Sequence, residues 1–287
     1  MASDLIVIDD SVNFADVTAD GMCRGYVPRD MSMYPVGTFA PPAKIDLIPR
    51  EQWPDLVADK ARNKSRLSDI RMIGGPGGSY IPSLDQNDPK YMNTRSPRWG
   101  YCWCYATVMG CMLIRARMNQ PYVRLSAFGL AYTTMGGKDQ GAWGALSLEN
   151  AQKYGIPTEA DWPNFEQRSN PTFSGPAWEN AKKYRPTDAF VELADPVYDR
   201  DLNADQVGTC LLRNNPCIAD KNDWGHCICY MDLVDVNPRL PVTDNARWGV
   251  DFINSWGDEY SQLGVGRLAG RKWLPDNCVA ITGVMAA

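Results

Sequence analysis

Beyond residue 100, helical periodicity fills the first stretch of this chain and strand periodicity fills the second. That order restricts the fold more than any other feature. From Cys102 to Met118, the residues Val108, Cys111, Met112 and Arg115 recur at three- and four-residue steps, the spacing of one face of an α-helix. Gln120-Pro121 ends the pattern, because the residue before a proline is driven out of the helical region. Leu146 to Tyr154 reads as a second helix, closed by Gly155 with Pro157 just after. Pro176 to Tyr184 holds a short helical turn. From about Ala189 the chain turns strand-like, apart from a return to helix over Asp205 to Leu212. Cys227 to Val234, Trp248 to Ile253 and Gly264 to Leu268 read as strands. Helices first and sheet second is an α+β layout with segregated halves, about 81–188 and about 189–287.

Residues 1–80 stand apart from this domain. Met1 to Ala43 has little periodic pattern and ends in the proline-rich stretch Tyr34 to Pro42. Pro49 to Met72 carries helix formers, with Leu56, Val57, Ala61 and Leu67 near helical spacing. Gly74 to Ser83 is a loop. The expectation is an N-terminal arm with a short helix, feeding into a main domain over 81–287. An ordered arm needs a surface to lie on, which makes a protein partner for it one expectation.

The chain has 287 residues, 44% of them hydrophobic, which suits one large domain or two intimately packed subdomains around a real core. Its net charge of −5 argues against nucleic acid as a partner, since phosphate binding needs basic clusters. No apolar run approaches the roughly 20 residues that span a bilayer, so no membrane partner is expected. The N-terminus lacks the basic and apolar regions of a secretory signal. With nine cysteines, an odd number, several within apolar stretches, the expectation is free thiols in a cytoplasmic setting rather than a disulfide framework.

His226 is the only imidazole. If the chain does acid–base chemistry near neutral pH, this is the side chain with a suitable pKa. It follows Cys102-Trp103 and precedes Asn254-Ser-Trp-Gly257. Cys102 sits at the start of an expected helix, where unpaired N–H groups and the helix dipole favour a thiolate. Asn254 ends a strand and can orient the imidazole toward the sulfur, as the third member of a triad does. Cys104 is a rival nucleophile, but two helical residues are about 200° apart and cannot share one site. Cys102, Cys104, His226, Cys227 and Cys229 are all zinc-competent types. However, Cys-x-Cys lacks the usual spacer, and on a strand His226 faces away from Cys227 and Cys229. No metal is expected.

Gly-Tyr-Cys-Trp at 100–103 resembles the segment around the nucleophile of papain-like cysteine peptidases. Asn254-Ser-Trp-Gly257, followed by Gly264-Val-Gly-Arg267, is similar to a second motif of that family, and Gly225-His226 opens an apolar strand as the family's histidine does. Leu125-Ser126, and the run from Leu148 through Tyr154-Gly155-Ile156 to Thr158–Pro163, resemble its helical half. The resemblance covers residues 80 to 280 in the family's order Cys, His, Asn. It implies a helical left subdomain, a β-barrel-like right subdomain and a cleft between them. It further implies Cys102 as nucleophile, His226 as base and then acid, Asn254 as orienter and Trp256 as a shield over the His–Asn bond. Peptide or protein would be the substrate, and no cofactor is implied. An extension could lie across the cleft as a propeptide does, but this one lacks a clear pair of long helices.

The chain departs from the family pattern in several places. The oxyanion-hole Gln of the family lies six residues before the nucleophile, where this chain has Ser96. Gln86, in Ser83-Leu-Asp-Gln86, is the leading candidate for that role, with Asn93 and Ser96 behind. Such a donor is worth about 3–4 kcal/mol of barrier. Trp99 replaces a family disulfide cysteine. The stretch from Pro216 to His226 is short, so substrate preference does not transfer. Gly141-Ala-Trp-Gly144 echoes the family's substrate-backbone loop, with Gly144 as the pairing residue. The expected function is thiol-dependent peptide-bond hydrolysis. The alternative is a catalytically weak or inactive papain-like scaffold, serving as a structural or interaction subunit of an assembly such as a virus particle.

Overall fold

A computed structural model describes residues 4–18, 22–74, 78–88, 99–187 and 190–284. A central helix backs a sheet that is buried on both faces. The helix, α3 (Cys102–Arg117), is buried from Cys102 to Ala116, because its sequence is apolar nearly all round. It packs beside α4 (Ala127–Thr134) and α5 (Gly144–Tyr154). Ser126 caps α4 by accepting from the Gly129 N–H at 2.9 Å. Gly155, at φ +87°, ends α5, and any side chain there would strike the Ala181 carbonyl. Farther along lie α6 (Pro176–Ala181) and α7 (Arg200–Leu212). The Asp199 carboxylate caps α7 through the Leu202 N–H, so this helix starts five residues before the expected Asp205.

The strands are β1 (Ile6–Ile8), β2 (Phe190–Glu192), β3 (Cys217–Lys221), β4 (His226–Asp235), β5 (Trp248–Ile253), β6 (Val265–Leu268) and β7 (Asn277–Ile281). They form one sheet in the order β1-β6-β5-β4-β3-β7-β2. The sheet is open, not closed into the expected barrel. Its neighbours pair antiparallel except β1 on β6, which is parallel. Alternation along β4 sorts side chains between two cores. Cys227, Cys229 and Met231 face the helices, while Ile228, Tyr230 and Leu233 enter a second core with Trp224, Trp248, Phe252 and Trp273. Two-sided burial explains why β4 reads as a nearly continuous apolar run.

The arm is part of this body. Its β1 extends the sheet, Phe14 stacks on Trp224 at 4.6 Å, and Trp53 is fully buried in the second core against Trp248. The expected single helix is two, α1 (Trp53–Arg62) and α2 (Leu67–Ile73). Asp232 of β4 holds the start of α2 by accepting from the N–H groups of Leu67 and Ser68 at 2.8 and 3.0 Å. Glu192 fastens the middle of the arm. Its carboxylate accepts from Arg29 at 2.8 Å and from the N–H groups of Gly37, Phe39 and Ala40. Both side chains of the pair are about 1% exposed.

Breaking a buried ion pair on one side leaves an uncompensated charge. Arg29→Leu is therefore expected to destabilise the protein by about 3–5 kcal/mol. Arg29→Leu combined with Glu192→Gln should cost clearly less than the two single changes together, read from urea unfolding.

Candidate active site

Cys102 is the first residue of α3, and its sulfur sits where backbone N–H groups converge: those of Cys227, Trp103 and Tyr26. Two of these belong to the body and one to the arm. Cys227 directly follows His226, so the sulfur lies beside the start of β4. Cys104 points away, toward Ser147 on α5. None of the nine cysteines is in a disulfide, and all are buried.

His226 bonds through Nε2 to Asn254 Oδ1 at 2.7 Å. The same oxygen accepts the Ser255 N–H at 2.8 Å, which fixes the orientation of the amide. An oxygen that only accepts forces the proton onto Nε2 and leaves the lone pair on Nδ1. That Nδ1 is buried and carries no hydrogen bond. Trp256 stacks on the imidazole at 4.8 Å and Trp224 meets it edge-on at 4.9 Å. The two indoles thus pack against the imidazole from two directions.

The arm lies over this pair. Gly25 crosses Gly100 backbone on backbone: a Cβ on Gly25 would stand 1.9 Å from the Gly100 carbonyl oxygen, and φ +129° there disfavours a side chain as well. Gly25 and Val27 bond to the main chain of Ala142 at 3.0 Å each, and Tyr26 pairs with Ala142 in parallel sense. The Cys23 carbonyl accepts from Trp256 Nε1 at 2.9 Å and from Gln86 Nε2. Arg24 donates to the Trp224 carbonyl at 2.9 Å. Residues 23–27 thus lie across Gly100, Ala142, Trp224 and Trp256.

Gln86 thus stands beside Trp256 and the His226–Asn254 pair, with its Nε2 on a carbonyl oxygen. Asn93 and Ser96, its rivals as oxyanion donor, lie outside the described residues. Trp99 fills its position with an indole packed on Tyr101, Phe128 and Tyr132. The backbone that pairs with a chain in the cleft belongs to Ala142. The Gly144 N–H is engaged instead by Asp220 Oδ1 at 3.2 Å. Sequence reasoning missed Ala142 and Asp220. The first has no side-chain signature, and the second falls in a strand left without a boundary.

Burial dominates the electrostatics of both groups. Burial pushes the Cys102 thiol up to about 12, against the pull of the Cys227, Trp103 and Tyr26 amides. Burial pulls His226 down to about 4, against the Asn254 bond. Thiol and imidazole are both neutral in the covered cleft. His226 is depressed relative to an unfolded value near 6.5. Its contribution to stability is therefore complete above pH 6.5 and is lost as pH falls toward 4, by about 3 kcal/mol in full. As the chain's only histidine, it gives one imidazole signal set in NMR. That set should stay in the neutral Nε2–H tautomer at pH 6 and titrate near 4. His226→Gln should remove that share of the acid-side slope in stability.

No family model matches this chain, and no curated protein matches it. Solved structures do. Xylellain, a cysteine protease from Xylella fastidiosa, superposes with a TM-score of 0.56 at 15% identity, over 93% of this chain and 97% of that one. The digestive procathepsin L2 proteinase of Tenebrio molitor larval midgut gives 0.53 at 16% identity, over 100% and 85%. ProCathepsin B S9 from Trypanosoma congolense gives 0.52 at 12%, over 92% and 87%. At such identities the likeness is one of fold, and the fold of this chain is that of the papain-like cysteine proteases.

Proposed function

We propose that this protein is a cysteine peptidase held in a self-covered state by its own arm. The observation that carries the reading is the His226–Asn254 bond, which leaves a free Nδ1 lone pair on a fixed ring next to the strand start that borders the Cys102 sulfur. Once residues 22–28 leave the cleft, water returns and the desolvation that keeps both groups neutral is relieved. The α3 N-terminus and the Cys227 and Trp103 amides then favour the thiolate. His226 Nδ1 takes the Cys102 proton, the thiolate attacks a peptide carbonyl, and His226 returns the proton to the leaving amine. Water hydrolyses the thioester that remains. Gln86 Nε2, which already donates to a carbonyl of the covering chain, is assigned to the oxyanion.

A second reading, a binding scaffold without turnover, is favoured by one observation: Cys102 and His226 are both 0% exposed. Labelling with a thiol-reactive peptidyl epoxide separates the two. Gly25→Val drives a side chain into the Gly100 backbone and should lift the segment from the cleft. The expected result is slow labelling of the native chain and fast labelling of Gly25→Val, confined to Cys102. His226→Gln in that background should slow it about 10²–10⁴-fold. Gln86→Ala should lower kcat on a peptide substrate about 10²–10³-fold. A folded Gly25→Val protein that the epoxide leaves unmodified would contradict the peptidase reading.

A further inference from the structure

Tyr26 is the arm residue that reaches deepest beside the nucleophile. Its main-chain N–H points at the Cys102 sulfur, and its ring, 7% exposed, enters the wall of the cleft. The hydroxyl donates to Asn222 Oδ1 at 2.7 Å, and the Asn222 N–H is held by Asp276 at 2.7 Å. Asp220 lies on the same strand end, 1% exposed, bonded to the Gly144 N–H and the Cys227 thiol. The charges of Asp220 and Asp276 both act on the Tyr26 phenol and, with burial, hold its proton on.

This wall is short of positive charge. Among the described residues neither Asp220 nor Asp276 forms an ion pair. The cations whose fields reach them are committed elsewhere: Arg29 to Glu192, and Lys221 to the Leu274 carbonyl at 2.6 Å. Burial pushes the Asp220 carboxyl up to about 7, the mark of a carboxylate without a counter-ion. A phenol fills the space and satisfies Asn222 but neutralises nothing. A cationic side chain in the same place would compensate a buried charge that is otherwise uncompensated.

We propose that the pocket holding Tyr26 takes a side chain of the bound peptide, and that Asp220 makes it select lysine or arginine. For substrates this rests on the peptidase reading; the chemistry of the pocket does not. The native arm then covers the cleft with a residue the pocket accepts but does not prefer, which suits a cover that must come off.

Two experiments keep these claims apart. The first uses the full chain and no activity. Tyr26→Arg and Tyr26→Leu are compared by thermal unfolding, each with Asp220 and with Asp220→Asn, which retains an acceptor for Gly144. The expected result is a higher Tm for Tyr26→Arg than for Tyr26→Leu beside Asp220, with the order reversed beside Asn. A Tyr26→Arg protein that is the less stable of the two beside Asp220, or an order indifferent to residue 220, overturns the proposal. The second places arginine or leucine at each position of a short peptidyl epoxide and follows labelling of Cys102 in Gly25→Val. One position should favour arginine at least tenfold, and Asp220→Asn should abolish that preference. Labelling without an arginine preference at any position overturns the proposal and leaves the peptidase reading standing. The reversed Tm order without labelling supports the pocket and overturns the peptidase reading.

Discussion

Main chain rests on main chain where Gly25 crosses Gly100, and the state of the cleft depends on that contact. Only a residue without a Cβ can come so close. Gly141 makes the same allowance on the other side, where a Cβ would strike Val27 and the Gly25 carbonyl. With the three glycines in place, Val27 and Gly25 bond to Ala142, Tyr26 turns into the wall, and the Cys23 carbonyl meets Gln86 and Trp256. Cys102 and His226 are both fully buried in this arrangement. Desolvation is the largest influence on both groups, and it acts in opposite directions on an acid that ionises to an anion and a base that ionises to a cation. Burial therefore raises the thiol and lowers the imidazole, which keeps both neutral.

The rest of the arm is anchored on both sides of residues 22–28. On one side β1 and Phe14 are built into the sheet and the second core. On the other, Arg29 and the loop to Ala40 are fastened by Glu192, and Trp53 lies in the core. Between these anchors, residues 22–28 are held by backbone bonds, the Tyr26 ring and hydroxyl, and the Arg24 guanidinium. Release of this segment therefore also takes Tyr26 out of the helix-side core and Met22 off the second one.

Much of the site was legible because its residues carry chemical signatures. A lone imidazole, a cysteine at a helix start and an asparagine at a strand end each have a physical reason to be where they are. His226 and Asn254 meet at hydrogen-bond distance, and Cys102 opens α3. Strand β5 matches its expected bounds, because its flanking turns are marked and its residues are strand formers. Less legible were features that depend on partners distant in sequence. The start of α7 is set by the Asp199 cap, outside the apolar pattern. β3 and β7 gain definition from pairing with each other, Ala219 opposite Cys278, and β1 from pairing with β6 across nearly the whole chain. The seat of the arm is written in glycines and carbonyls, which periodicity does not register. A barrel-like half was expected by resemblance. The sheet is open, with β1 and β2 at its edges.

We propose that residues 22–28, by excluding water, keep Cys102 and His226 neutral. The most direct test is the pH dependence of Cys102 alkylation by iodoacetamide, mapped by mass spectrometry, in the native chain and in Gly25→Val. The native chain should hardly react through neutral pH, with reaction rising only in strong alkali. Gly25→Val should show a reactive plateau that begins well below pH 7, where a thiolate is paired with a protonated imidazole, and that requires His226. Identical pH profiles for the two proteins would contradict it.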